Sequence, residues 1–119
     1  MSFQDEAVRL FQEGSIGVAV LVGEDNQIYW KMGEWDFDPV QAIRDWKAGT
    51  SPVVVGGLKF SVIRKQDDRF VATNLQQQGH LIIAKCPFWP GYLVAWAPST
   101  VGPDLAYSEV AKLAAKVKS

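Results

Sequence analysis

His80 and Cys86 are the two side chains that could serve as a catalytic base and nucleophile, because the chain holds one histidine and one cysteine. If both lie on one extended strand, they share a face but stand about 20 Å apart, at about 3.3 Å per residue. That separation is too long for proton transfer, and the pair makes no familiar zinc site without carboxylates. A phosphate loop and a dinucleotide fingerprint are also absent from the sequence. We therefore expect no enzymatic activity, no metal and no cofactor, with Cys86 as a buried hydrophobe and His80 at a strand end.

A binding function is indicated instead by the run Gly56-Gly57-Leu58-Lys59-Phe60-Ser61-Val62-Ile63-Arg64. Its glycine pair permits backbone angles closed to other residues and a close approach of neighbouring backbone. Regular strand alternation predicts two faces, with Lys59, Ser61 and Ile63 on one and Leu58, Phe60, Val62 and Arg64 on the other. An apolar strand that ends on Arg64 and Lys65 is suited to binding an acidic protein partner.

Composition predicts one folded domain, residues 1–119, since 48% of the residues are apolar and 21% are charged. Residues 1–50 carry nine acids and four bases (net −5), whereas residues 51–119 carry four acids and eight bases (net +4). This asymmetry fits either an oriented encounter with a charged protein or two ordinary solvated surfaces. It lacks the dense basic stripe of a nucleic-acid-binding protein.

Cysteine usage and the N-terminus bear on the compartment. A single cysteine excludes an intramolecular disulfide, and the acidic N-terminus lacks an apolar signal region. No run approaches the roughly 20 apolar residues of a transmembrane helix. We therefore expect a cytoplasmic protein.

Periodicity predicts three helices: Ser2 to about Glu13, a second from Asp38-Pro39 to Gly49, and a last one opened by Gly102-Pro103-Asp104. Extended segments are predicted at 16–22, 27–31, 58–64, 70–75, 81–86 and 92–97, with a hairpin turn at 66–68, and residues 53–55 lead from a connection into the glycine pair. Segments 16–22 and 81–84 are apolar on both faces and need cover on both sides. The expected fold is an α/β (α+β) sandwich, with a mostly antiparallel sheet of about six strands between helices.

The Gly56–Arg64 run resembles the Gly-Gly-x-Lys-x-Ser-Val-Ile-Arg pattern of the profilin family. Weaker similarities follow in the family's order over nearly the whole chain, at Ser2-Phe3-Gln4, Ile28-Tyr29-Trp30, Ile82-Ile83-Ala84-Lys85, Leu93-Val94 and Val110-Ala111-Lys112-Leu113. Because the chain is shorter than many eukaryotic profilins, it resembles a compact or divergent member, such as an archaeal profilin. This resemblance implies that the N- and C-terminal helices pack side by side.

The resemblance implies that the partner is monomeric actin, held by one face of the sheet and part of the last helix. Such a protein would regulate actin polymerisation through sequestration, nucleotide exchange and filament growth, associated with the cytoskeleton. The positions that match the family's actin contacts are Lys59, Val62, Arg64, Arg69, Leu75, Asp104 and Tyr107. Read from the residues alone, Val62 is also compatible with ordinary core, and Lys59 and Arg64 with solvated strand ends.

Profilins also grip proline-rich segments between their first and last helices with aromatic rings, and here Phe3 with Tyr29 or Trp30 would serve. Glu6 and Lys112 stand about where the family has a Tyr and a His, so we expect this binding to be weak. A phosphoinositide site is also implied if the basic residues converge, these being Lys59, Arg64, Lys65, Arg69 and Lys85.

Two further alternatives stay open at this point. The loop Pro87–Tyr92 is either an aromatic binding knob or a flap that covers the sheet. The rival to the profilin interpretation is a roadblock- or longin-type module that dimerises or binds a small GTPase; the profilin interpretation predicts a monomer.

Overall fold

The computed structural model describes residues 3–33, 37–49, 52–66, 69–74 and 76–118, without the side chain of Lys65. Its helices are α1 (Phe3–Gln12), α2 (Pro39–Ala48) and α3 (Pro103–Ala114). Its strands are β1 (Val18–Gly23), β2 (Ile28–Met32), β3 (Val53–Val55), β4 (Leu58–Lys65), β5 (Arg69–Thr73), β6 (His80–Lys85) and β7 (Gly91–Ala97).

The strands form one sheet in the order β2-β1-β7-β6-β5-β4-β3, and each neighbouring pair is antiparallel. The predicted fold class is confirmed, although the sheet has seven strands where about six were expected. The difference lies at the edge, where the short run Val53–Val55 pairs with Leu58–Phe60 as a strand of its own. The glycine pair between these segments makes the tight reversal, with φ of 58° at Gly56 and 81° at Gly57.

Helices cover both faces of the sheet. On one face α1 and α3 pack side by side, and the core beneath them, here called the α1–α3 core, includes Leu10, Ile82, Val110 and Leu113. On the other face α2 covers the α2 core, which includes Val20, Ile43, Trp46, Phe60 and Phe70. All six residues of β1 and five of the six in β6 are buried. The prediction of a two-sided sandwich is therefore confirmed.

The ends of α2 follow the sequence signals closely. The Asp38 carboxylate accepts a hydrogen bond from the Gln41 backbone N–H at 3.1 Å, and Pro39 occupies the first turn. Gly49 adopts the left-handed conformation (φ 76°) that ends the helix.

The proposed cap of α1, Ser2, lies outside the described residues. Within the described part of the chain, no helix has the length and apolar character that crossing a bilayer requires.

Candidate functional site

A β-bulge in β4 decides where Arg64 points. Val62 pairs with Ala72, but Arg64 pairs with Val71, so Ile63 is an extra residue between them. Residues directly opposite on paired strands share a face. Ala72 belongs to the α2 core and Val71 to the α1–α3 core. The prediction that Arg64 shares a face with Val62 is therefore wrong, because the bulge carries Arg64 to the side of α3.

On that side Arg64 meets Asp104, in the first turn of α3. The Arg64 Nε donates to Asp104 Oδ1 at 2.9 Å, and Nη2 faces Oδ2 at 3.5 Å. Both side chains are exposed, by 54% and 74%. An ion pair this exposed contributes about 0–1 kcal/mol to stability, so its main effect is to orient the guanidinium.

A second arginine packs against α3. Arg69, the first residue of β5, places its guanidinium carbon 4.7 Å from the centroid of the Tyr107 ring. This is a cation–π geometry. Tyr107 is half-buried and packs against the α1–α3 core. Asp104 and Tyr107 stand three positions apart on α3 and so share one face of the helix. Four of the predicted contact residues therefore converge where β4 and β5 meet α3.

The other predicted contacts do not join this group. Lys59 is exposed about 17 Å from Arg64 along β4, at about 3.3 Å per residue. There its carbonyl accepts from Asn74 Nδ2 at 2.9 Å. Val62 is half-buried against the α2 core, on the opposite face. This arrangement agrees with the alternative interpretation of Val62 as core. Leu75 lies outside the described residues.

The basic residues proposed for phosphoinositides do not converge as a set. Lys85 pairs with Tyr92, a residue of the α2 core, so Lys85 lies on the face opposite Arg69. Arg69 pairs with Ala84, which belongs to the α1–α3 core. The side chain of Lys65 lies outside the described part of the chain.

Between α1 and α3 runs an open groove of about 830 Å³, which combines one aromatic ring with several charges. Its lining residues are Phe3, Glu6, Arg9, Lys112, Ala115, Lys116 and Lys118. Glu6 is buried and paired with Arg9, whose hydrogen bond lowers the pKa of the Glu6 carboxyl below its ordinary range. The charges therefore lie where a proline-binding groove would need apolar rings.

The predicted aromatic residues of this region are divided between two places. Phe3 packs edge-to-face on Trp30, with ring centroids 4.8 Å apart, and the Trp30 indole N–H donates to Gln4 Oε1 at 2.8 Å. Tyr29 is an extra residue in a second bulge, because Leu21 pairs with Trp30 while Val22 pairs with Ile28. Its ring contacts Trp89 instead of Phe3 (centroids 5.2 Å apart).

Of the two residues considered for catalysis, His80 is hydrogen-bonded and Cys86 is buried. His80 begins β6, where Nε2 donates to the Val101 carbonyl at 2.8 Å and Nδ1 lies 2.9 Å from Thr73 Oγ1. These contacts tie the sheet to the segment that leads into α3. Cys86 follows the other end of β6 and is buried, and burial raises the pKa of its thiol to about 12. A neutral thiol is a poor nucleophile.

No model of a known protein family matches the chain. Among individual proteins, Heimdall profilin from a Heimdallarchaeota archaeon is 43% identical over 121 residues, covering 100% of both sequences. This chain belongs to the profilin family. The roadblock or longin alternative is thereby set aside. This profilin is also similar to Odin profilin of Odinarchaeota yellowstonii, with 34% identity over 82 residues (69% of this chain and 68% of the relative).

Solved profilin structures share the fold of this profilin. A crystal structure of LokiProfilin1 matches with a TM-score of 0.79 and 20% identity, covering 98% of this chain and 96% of the other. LokiProfilin2, solved in complex with rabbit actin, matches with a TM-score of 0.77 and 22% identity over the same shares. Acanthamoeba castellanii profilin IB matches with a TM-score of 0.72 and 17% identity, over 91% and 89% of the two chains.

Sequence reasoning missed the partners that orient these residues in this profilin. The sequence points to Arg64 and Asp104 separately, yet they form a pair across 40 positions of sequence. No local signal announces such a contact, since it depends on the bulge at Ile63. For Trp89 the sequence does hold a signal, which is glycine at positions 23 and 91. These two residues pair across β1 and β7, and their missing side chains leave room for the rings of Tyr29 and Trp89.

Proposed function

We propose that this profilin binds monomeric actin and regulates actin polymerisation in the cytoplasm. Its docking surface is the exposed region where β4 and β5 meet α3, with Arg64, Arg69, Asp104 and Tyr107 at its centre. Lys59 extends the surface along β4 as a salt-sensitive contact. The function is binding without bond-making chemistry, so the effect on actin comes from differential affinity for its conformations.

The observation that carries the proposal is that α3 contacts two arginines on one face of the sheet. Asp104 pairs with Arg64, and the Tyr107 ring packs on Arg69. Family membership and the full-length match to LokiProfilin2, which was solved with rabbit actin, support the identity of the partner. LokiProfilin1 was likewise solved in complex with rabbit actin.

The chemistry of Arg64 suits an acidic partner. Its Nε and Nη2 face Asp104, while Nη1 has no partner among the described residues. A guanidinium oriented in this way can fork onto a carboxylate of the partner, and less side-chain entropy is lost because the rotamer is already restrained. Tyr107 offers partly exposed aromatic surface beside it, a residue type enriched in interfaces.

The direct test is the substitution Arg64→Glu, read out by pyrene-actin polymerisation with increasing amounts of protein. We expect the affinity for actin monomers to fall by about tenfold or more, because a like charge then faces an acidic surface. Arg44→Glu is a matched control, since Arg44 is exposed on α2, which covers the other face of the sheet. That control should retain wild-type activity.

Circular dichroism must first show that both variants are folded. If folded Arg64→Glu still delays polymerisation as the wild type does, the proposed surface is wrong. If the wild type itself leaves polymerisation unchanged and does not bind the monomer, the proposed function is wrong.

We further propose that proline-rich segments bind weakly, through Phe3 and Trp30 rather than Tyr29. Support comes from the contact between these two rings and from the charges in the adjoining groove.

Any binding of phosphoinositides is proposed for Arg64 and Arg69 alone, since Lys85 lies on the opposite face of the sheet. It would be salt-sensitive and confined to anionic surfaces.

A further inference from the structure

A small cleft of about 240 Å³ lies between the β1–β2 turn and the loop that joins β6 to β7. Its lining residues are Gly23, Glu24, Asp25, Tyr29, Trp89 and Pro90. Tyr29 and Trp89 form its aromatic walls, packed edge-to-face with ring planes at 84°. The Tyr29 side chain is exposed on its outer side. The cleft lies apart from the Arg64 surface and contains none of its residues.

The cleft is held by backbone bonds and by glycine at two positions. The Glu24 N–H donates to the Pro90 carbonyl at 3.1 Å, which ties the two loops together. A Cβ at Gly23 would lie 2.6 Å from the Tyr29 ring, and one at Gly91 would overlap the Trp89 ring. The rings therefore occupy space that only this pair of glycines leaves free.

The cleft is acidic. The Tyr29 hydroxyl donates to Asp25 Oδ2, and the Gln27 N–H donates to Asp25 Oδ1 at 3.1 Å. These hydrogen bonds hold the pKa of the Asp25 carboxyl below its ordinary value, so the group is ionised at neutral pH. Glu24 adds a second exposed carboxylate, and no lysine or arginine is among the lining residues.

We propose that this cleft binds an arginine side chain of a basic peptide segment in a partner protein. Aromatic faces attract a guanidinium through their quadrupole, and a carboxylate at the rim can accept its N–H groups in pairs. Charge complementarity points to this occupant. An acidic segment would be repelled by Asp25 and Glu24, and a purely apolar segment would remove water from these two carboxylates without replacing its hydrogen bonds. The cleft has the size of one long side chain rather than of a folded surface.

The test uses the whole protein labelled with ¹⁵N and a short glycine-rich arginine peptide, followed by NMR. We expect saturable shifts of the Trp89 indole N–H and of the Asp25 amide. The same peptide with citrulline in place of arginine keeps the shape but not the charge, and should leave both signals unmoved.

Variants locate the site. Asp25→Asn and Tyr29→Leu should each weaken binding by at least about threefold, and both positions are exposed, so folding is not at stake. Glu13→Gln removes a charge of the same sign from the end of α1, away from the cleft, and should bind normally. Shifts that map elsewhere, equal loss in Asp25→Asn and Glu13→Gln, or binding of the citrulline peptide would each overturn the proposal.

Discussion

Arg64 and Asp104 form the exposed ion pair at the centre of the proposed docking surface. Their ion pair is open to water and contributes about 0–1 kcal/mol to the free energy of unfolding. Substitutions at either residue should therefore leave the protein folded. Loss of actin binding in such variants can then be assigned to the surface rather than to unfolding.

Cys86 is a residue whose chemistry is suppressed by its surroundings. Burial raises its pKa from an ordinary 9.0 to about 12. Because the thiolate is the reactive form, we expect the native protein to react with Ellman's reagent at pH 8 far more slowly than the unfolded chain. Rapid modification of the native protein would show that the thiol is accessible and contradict the buried placement.

The same pKa shift predicts a dependence of stability on pH. Between about pH 9 and pH 12 the unfolded chain loses the Cys86 proton while the folded protein keeps it, so stability falls as pH rises. Urea unfolding of the wild type and of Cys86→Ala isolates this effect from other groups that titrate there. The stability difference between the two proteins should shrink across that window; a constant difference would contradict the assignment.

At the scale of elements, the groove between α1 and α3 carries charge where the family's proline-rich ligands need aromatic rings. Lys112, Lys116 and Lys118 line one side, and the Glu6–Arg9 pair occupies the other. Among the described residues that line the groove, only Phe3, backed by Trp30, offers a flat ring to a polyproline helix. A preformed helix binds tightly only when several rings stack on it.

We therefore predict that polyproline peptides bind this protein weakly, with dissociation constants near the millimolar range, or roughly −4 kcal/mol. Tryptophan fluorescence during titration with an oligoproline is the measurement. Phe3→Ala should abolish the residual binding, and Tyr29→Ala should not change it. A tight complex that depends on Phe3 would contradict the prediction.

Most of the elements were predictable from sequence because their signals are local. The Asp38 cap, Pro39 and Gly49 fix α2 within one residue of its observed ends. The bulges at Ile63 and Tyr29 were not predictable, because alternation assumes a regular strand and both bulges depend on pairing with a neighbouring strand. For the candidate site, the sequence therefore predicts a set of residues but not their arrangement. Arg64 lies on the α3 side of the sheet, Val62 lies on the other side, and Leu75 is outside the described residues.

For the molecule as a whole, the two sheet edges bear on its state of association. One edge, β3, is three residues long, and the other, β2, contains the bulge at Tyr29 and the exposed Lys31. Short, irregular and charged edges resist pairing with a second copy of the sheet. These features favour a monomer.

We predict that the protein sediments at equilibrium with the mass of one chain, 13.2 kDa, at micromolar concentration. Lys31→Val should increase self-association, since it removes the charge from the β2 edge. A stable dimer of the wild type, unaffected by that substitution, would show that another surface is buried between copies.

The extra residue at Ile63 has a consequence for how this protein can change. Removing that one position would let Arg64 follow Val62 directly, and strand alternation would then place Arg64 opposite Val71, on the side of α3 where it already lies. Leu58, Phe60 and Val62 would keep their places against the α2 core. A single-codon deletion at Ile63 would thus straighten the strand and leave the side on which the arginine lies unchanged, so relatives that lack this residue can still present an arginine on the same face.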